Sequence, residues 1–331
     1  MSEDTGQMNE DGVRVTRIDW QTAIPSLRLL DAIRLAISLH VFVPALLLMF
    51  LTRAASQFSY AQFGLLTSEI SRHSLLDVSD FKMPGFLDTI SGSMSVIATG
   101  GGSQLSASEV TVILGLWMLM FGFCGVVAIR SAGCRTCTGT ESGLFASAKL
   151  SLHSWKSIVV SAVLTWILLG LLCTVFRVFC WAGAGTSVGI TTVASLMYIV
   201  GCMVLGIGWL LSLAAIAIDR CDGAEALSRG ICYVLSHWLR VVVYCIVFCL
   251  LMMSCDVAFS WLAINAHRLA SAADATSAGG TTLQLTGEVV RLSLFFCEIA
   301  VAYVLLRNLE DGVSPREIDG GRVIKSSHRL D

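Results

Sequence analysis

Hydrophobic positions dominate this chain in long blocks, and the polar positions fall between the blocks. From Arg177 to Asp219, a run of 43 positions, no charged residue lies between the two ends. Further apolar runs occupy 35–52, 110–129 and 241–264. Blocks of about 20 residues are long enough to cross a hydrocarbon core of roughly 30 Å as helices, because a helix rises about 1.5 Å per residue. Six spans account for the pattern: 35–52, 110–129, 158–176, 190–218, 241–264 and 289–306. The sixth is the least regular, since Arg291 and Glu298 interrupt it. The expected fold class is therefore all-α, a polytopic transmembrane bundle of about six spans.

Shorter patterns flank the spans. From Pro25, Leu27, Leu30 and Ile33 fall on one helical face and Arg28, Asp31 and Arg34 on the other, which predicts an interfacial helix leading into the first span. A weak hairpin repeat follows. Segment 145–164 (FASAKLSLHSWKSIVVSAVL) and segment 226–248 (ALSRGICYVLSHWLRVVVYCIVF) each run from a small-residue helix through a His/Ser pair to a Trp, a basic residue and a span. Trp155 and Trp238 suit the headgroup level, where amphipathic rings are favoured. The organisation expected is a polar N-terminal segment with its interfacial helix (1–31), a six-span bundle (32–309) and a cytoplasmic tail (310–331). Connections 53–109 and 265–288, the latter rich in Ala, Ser, Thr and Gly, are expected to be loosely ordered.

Composition narrows the functional classes. Hydrophobic residues make up 55% of the chain and charged residues only 14%, against about 25% in soluble domains. The net charge of -2 gives no general attraction to nucleic acid, so the lipid bilayer is the expected environment and nucleic acid is not an expected partner. Of the 22 Lys and Arg residues, the span assignment puts 16 on the side of both termini and 6 on the other. That asymmetry predicts a multi-pass protein of the cell inner membrane with both termini cytoplasmic. An acidic, polar stretch precedes the first span in place of a basic signal sequence, so that span reads as a retained anchor. The 12 cysteines avoid the outer connections and are best read as reduced.

Four stretches carry a resemblance: 18–37 (IDWQTAIPSLRLLDAIRLAI), 141–155 (ESGLFASAKLSLHSW), 200–244 and 301–312 (VAYVLLRNLEDG), the third containing Asp219, Asp222, Ala226, Leu227, Ser228, Arg229 and Tyr233 in the expected order. In these the chain resembles a family of uncharacterised polytopic integral membrane proteins of planctomycete type. More remotely it is similar to the membrane domain of bacterial glycerophosphodiester phosphodiesterases. The resemblance implies topology and no activity, and the chain carries no separate phosphodiesterase domain.

The sharpest candidate chemistry is a pair of carboxylates, Asp256 and Glu298, inside the fifth and sixth spans. A carboxylate at membrane depth costs a few kcal/mol and faces a protein interior or a water cavity. Helical rise places both roughly 12 to 14 Å below the outer surface, where they could meet as a shared-proton pair or cation site, or be separately hydrogen-bonded to hydroxyls such as Ser254, Ser260 or Ser293. Ala194, Gly201, Gly208 and Ala215 recur every seven residues and predict a helix-packing stripe. Cys245, Cys249, Met252 and Asp256 share a face that soft-metal transport would use, but ordinary apolar packing accounts for them. The CxxC at Cys134 and Cys137 lacks a second pair, His40 reads as a packing residue, Asp222 as a helix cap, and Glu225 with Arg229 as an i,i+4 ion pair. No catalytic, cofactor or metal constellation emerges. The expected role is a non-enzymatic structural or accessory envelope protein, with a small-solute or ion transporter using the intramembrane carboxylates as the alternative.

The division of basic residues has a direct test. A reporter that matures only in the cytoplasm should be active when fused to the C-terminus and dark when inserted near Gly101. The reverse pattern would refute the orientation.

Overall fold

The computed structural model describes residues 29–63, 107–138, 143–183, 188–272 and 278–311, together with 318–319 and 322–323. Among them are nine helices: α1 (Asp31–Ala36), α2 (Leu39–Phe63), α3 (Ala107–Thr138), α4 (Leu144–His153), α5 (Trp155–Gly183), α6 (Val188–Asp219), α7 (Gly223–Ser236), α8 (Trp238–Ala272) and α9 (Ala278–Asp311). A two-residue antiparallel pairing, β1 (Ile318–Asp319) with β2 (Arg322–Val323), is the one strand pairing among the described residues. The chain is an all-α bundle. Helices α3, α5, α6, α8 and α9 contain segments long and apolar enough to cross a membrane, and α2 contributes the shorter apolar segment Leu39–Leu51.

Each predicted span lies within one long helix, apart from the start of the first. The chain breaks at Ile37 and Ser38, so Leu35 and Ala36 close α1 and the span helix begins at Leu39. The Ser38 carbonyl accepts from the Val41 and Phe42 N–H groups and so seats the first turn of α2. Within α1, Leu29, Ala32, Leu35 and Ala36 are buried, while Leu30 and Ile33 are exposed. Pro25 and the rest of 1–28 lie outside the described residues. Helix α3 continues nine residues past the expected end at Ile129, carrying Cys134 and Cys137 on helix instead of in a loop. The connection 265–288 is mostly helical as well, since α8 reaches Ala272 and α9 starts at Ala278. Alanine, the strongest helix former, recurs through this stretch, and composition had hidden that propensity behind the Gly and Ser content.

The hairpin repeat is present in three dimensions. In both halves a short helix ends at a single non-helical residue, Ser154 or His237, and the long helix restarts at the following Trp. The break is bridged by a backbone bond from the Ser154 N–H to Leu150 O (2.8 Å) and from the His237 N–H to Tyr233 O (3.1 Å). Ser147 and Gly230, each eight residues before its Trp, seat the short helices on the preceding long ones. Ser147 Oγ is 3.3 Å from Ser131 Oγ, and Ser151 Oγ donates to Phe123 O at 3.1 Å. At Gly230 the contact is backbone to backbone, because a Cβ there would come within 2.2 Å of Gly208 O.

The six long helices differ greatly in burial. In α9, the span weakened in sequence by two charges, 72% of the most apolar window is buried; in α8 only 11% is. Helix α9 is the post around which the others pack, meeting α1, α2, α3, α6 and α8. Its core contacts are aromatic: Phe121 of α3 lies 5.7 Å from Trp209 of α6, 5.7 Å from Phe295 and 5.1 Å from Phe296, ring centre to ring centre. Such pairs are worth about 1 kcal/mol each beyond their buried area.

The small-residue stripe of α6 serves two neighbours instead of one. A Cβ on Gly201 would meet the Leu172 side chain of α5 at 2.8 Å, and one on Gly208 would meet Ile231 of α7 at 2.9 Å; Ala215 is fully buried and Ala194 half-buried. Gly206 on the same helix has nothing within 4 Å. Gly208→Leu should therefore destabilise the bundle by roughly 1–3 kcal/mol through overpacking, and Gly206→Leu by far less, read as melting temperature in detergent. Equal losses would remove the stripe's special role.

Candidate functional site

Polar side chains gather in two places, and the first is the end of the bundle where α4 and α7 lie. Helix α6 stops at Asp219, and Arg220 then takes a left-handed backbone (φ 57°), turning the chain into α7 within three residues. That conformation costs a non-glycine residue roughly 1–2 kcal/mol. The turn places the Asp219 carboxylate between α6, α7 and α9. Tyr303 Oη donates to Asp219 Oδ2 at 2.6 Å, the Arg307 guanidinium donates to Oδ1, and Arg229 Nη1 stands 3.6 Å from Oδ2. Arg229 also donates to Glu225 at 2.7 Å, the expected i,i+4 pair. Asp222 occupies the N-cap position of α7 without a side-chain capping bond; its carbonyl accepts the Ala226 N–H instead.

Burial sets the character of this cluster. The Asp219 side chain is 5% exposed and that of Arg307 11%. Nearby, Arg130 of α3 donates to Ala217 O at 2.8 Å, which ties the extended end of α3 to α6. Burial pushes the Cys221 thiol up to about 11, with Arg229 acting in the opposite direction. The thiol is therefore un-ionised at neutral pH. Asp219 and Glu225 are thus bridged by Arg229, and Asp219 by Arg307 as well, so the cluster is an ionic clamp between α6, α7 and α9. The sequence held one signal for it, a lone Asp at the end of the longest uncharged run, but Tyr303 and Arg307 lie 84 and 88 residues away and no spacing rule pairs them.

The second polar site is at membrane depth, and it separates the two predicted carboxylates. Asp256 does not meet Glu298. Its Oδ1 accepts from Arg291 Nη1 at 2.8 Å across the α8–α9 interface, and Arg291 also donates to Glu288. Asp256 is ten residues short of Ala266, the end of its apolar segment, or about 15 Å, and Arg291 six residues past Leu285, about 9 Å. Glu298 lies seven residues beyond Arg291, near the middle of its segment, and is 3% exposed with neither carboxyl oxygen hydrogen-bonded among the described residues. Arg291, which the sequence marks only as an interruption, is the residue that decides the arrangement. Among the described residues, no group of three or more His, Cys, Asp or Glu side chains converges as a metal site.

No known protein family, curated protein or solved structure matches the chain.

The clamp yields a double-mutant prediction. Asp219→Ala should cost about 3–5 kcal/mol, since it removes the buried carboxylate that Arg307, Arg229 and Tyr303 share. Asp219→Leu combined with Arg307→Met should cost much less than the sum of the single changes. Additive losses would mean that the pair does not act as a unit.

Proposed function

We propose that the chain is a non-enzymatic accessory protein of the bacterial inner membrane, with both termini in the cytoplasm. The observation that carries this reading is how the charged groups near and within the spans are used. Asp219, Arg229 and Arg307 join three helices, and Asp256 is joined to Arg291. A carrier needs intramembrane charges released to a solute or ion in turn, whereas these are spent on holding helices together. The aromatic contacts of Phe121, Trp209, Phe295 and Phe296 fill the centre in the manner of a packed scaffold. The resemblance of segments such as 200–244 to polytopic proteins of planctomycete type supports a bundle role and brings no reaction with it.

A second reading has one observation in its favour. Glu298 is buried near mid-span with no donor on either oxygen among the described residues, and a carboxylate left so in hydrocarbon costs several kcal/mol. A proton or a passing cation would supply the missing contact, as a transporter requires. The two readings separate in vesicles. The accessory reading expects vesicles containing the purified protein to hold proton, sodium and potassium gradients as tightly as empty ones. A leak that disappears in Glu298→Gln would overturn it in favour of transport.

A further inference from the structure

We propose that the exposed face of α8 is a docking surface for a single transmembrane helix of another membrane protein, one carrying a Lys or Arg at the depth of Asp256. This rests on the accessory reading and names the chemistry of its partner. Helix α8 packs chiefly on α9, and only 11% of its most apolar window is buried. Ile246, Leu250, Met253, Val257, Trp261 and Ile264, each more than half exposed, recur at spacings of three and four residues and form one continuous stripe. A purely apolar stripe would be satisfied by lipid tails, which are as apolar as leucine and give helices no drive to associate.

Asp256 makes this face different. It borders the stripe beside Val257, well inside the apolar segment, and its side chain is 59% exposed despite the bond to Arg291. Charged groups at this depth face protein or water, because facing hydrocarbon costs a few kcal/mol or more. Among the described residues the local charge is also unbalanced: Asp256 and Glu288 share the guanidinium of Arg291, leaving a net charge of minus one. A basic residue on an incoming helix would neutralise it and cover the exposed carboxylate oxygen. A second copy of this chain fits less well, since a two-fold axis along α8 would bring two net negative clusters to one depth, and like charges across an interface repel.

The probe is a synthetic leucine–alanine transmembrane peptide of about 24 residues, bearing one Lys ten positions from an end or Leu in its place. Each is labelled and co-reconstituted with the labelled full chain in liposomes, and association is read by energy transfer. The Lys peptide should associate roughly tenfold more strongly than the Leu peptide, the scale of one close charge pair. Asp256→Asn should remove the difference, and Asp256→Lys should transfer the preference to an Asp-bearing peptide. Equal association of the Lys and Leu peptides with the wild-type chain would overturn the proposal, and that comparison needs no variant to fold. Energy transfer between two labelled copies of the chain that neither peptide reduces would also overturn it, assigning the face to self-association. Neither result depends on ion flux, so the accessory reading stands or falls separately.

Discussion

The bond between Asp219 and Arg307 is the constraint on which the rest of the bundle depends. A carboxylate and a guanidinium withdrawn from water lose several kcal/mol each and recover it only with close geometry and further hydrogen bonds. Tyr303 and Arg229 supply those. The pair therefore fixes the ends of α6 and α9 at one level and holds α7 against both. With those ends fixed, Phe121 and Gly125 of α3 come level with Phe296, and Trp209 completes the aromatic contact. The left-handed turn at Arg220 is the local strain that this arrangement sustains.

Close backbone approach is the second requirement, and it falls where hydrophobic burial has no force. In lipid, helices associate through van der Waals contact and hydrogen bonds. Gly230 over Gly208 and Gly223 over Ser157 bring α7 to backbone distance of α6 and α5. In the other half of the repeat, Ser147 and Ser151 reach the same end by hydroxyl bonds to α3. One supersecondary unit is thus seated by two different chemistries, which is why its internal likeness is weak in sequence and clear in space.

Charge placement then divides the molecule. The clamp is buried; the Asp256, Arg291 and Glu288 group is open and, among the described residues, carries a surplus negative charge beside the least buried helix. Glu298 is the reverse, enclosed and without a donor among the described residues. The first arrangement ties helix ends together, the second leaves a carboxylate facing out of the bundle, and the third leaves one inside it.

Periodicity and composition determined the fold class, the six long helices and the two short helices of the hairpin repeat, because each follows from local rules about the length of apolar runs and the placement of amphipathic rings. The Glu225–Arg229 pair was legible for the same reason. Local rules also carry no information on which helix lies at the centre, and here they misled: two charges made the sixth span look weakest, yet α9 is the central post. Tertiary structure alone decided that, together with the pairing of Asp256 with Arg291 instead of Glu298 and the closure of Asp219 by Tyr303 and Arg307. A side chain's partner depends on rotation about the helix axis and on the register between helices. Both are set by packing between residues far apart in the chain, and an error of one residue turns a helix by about 100°.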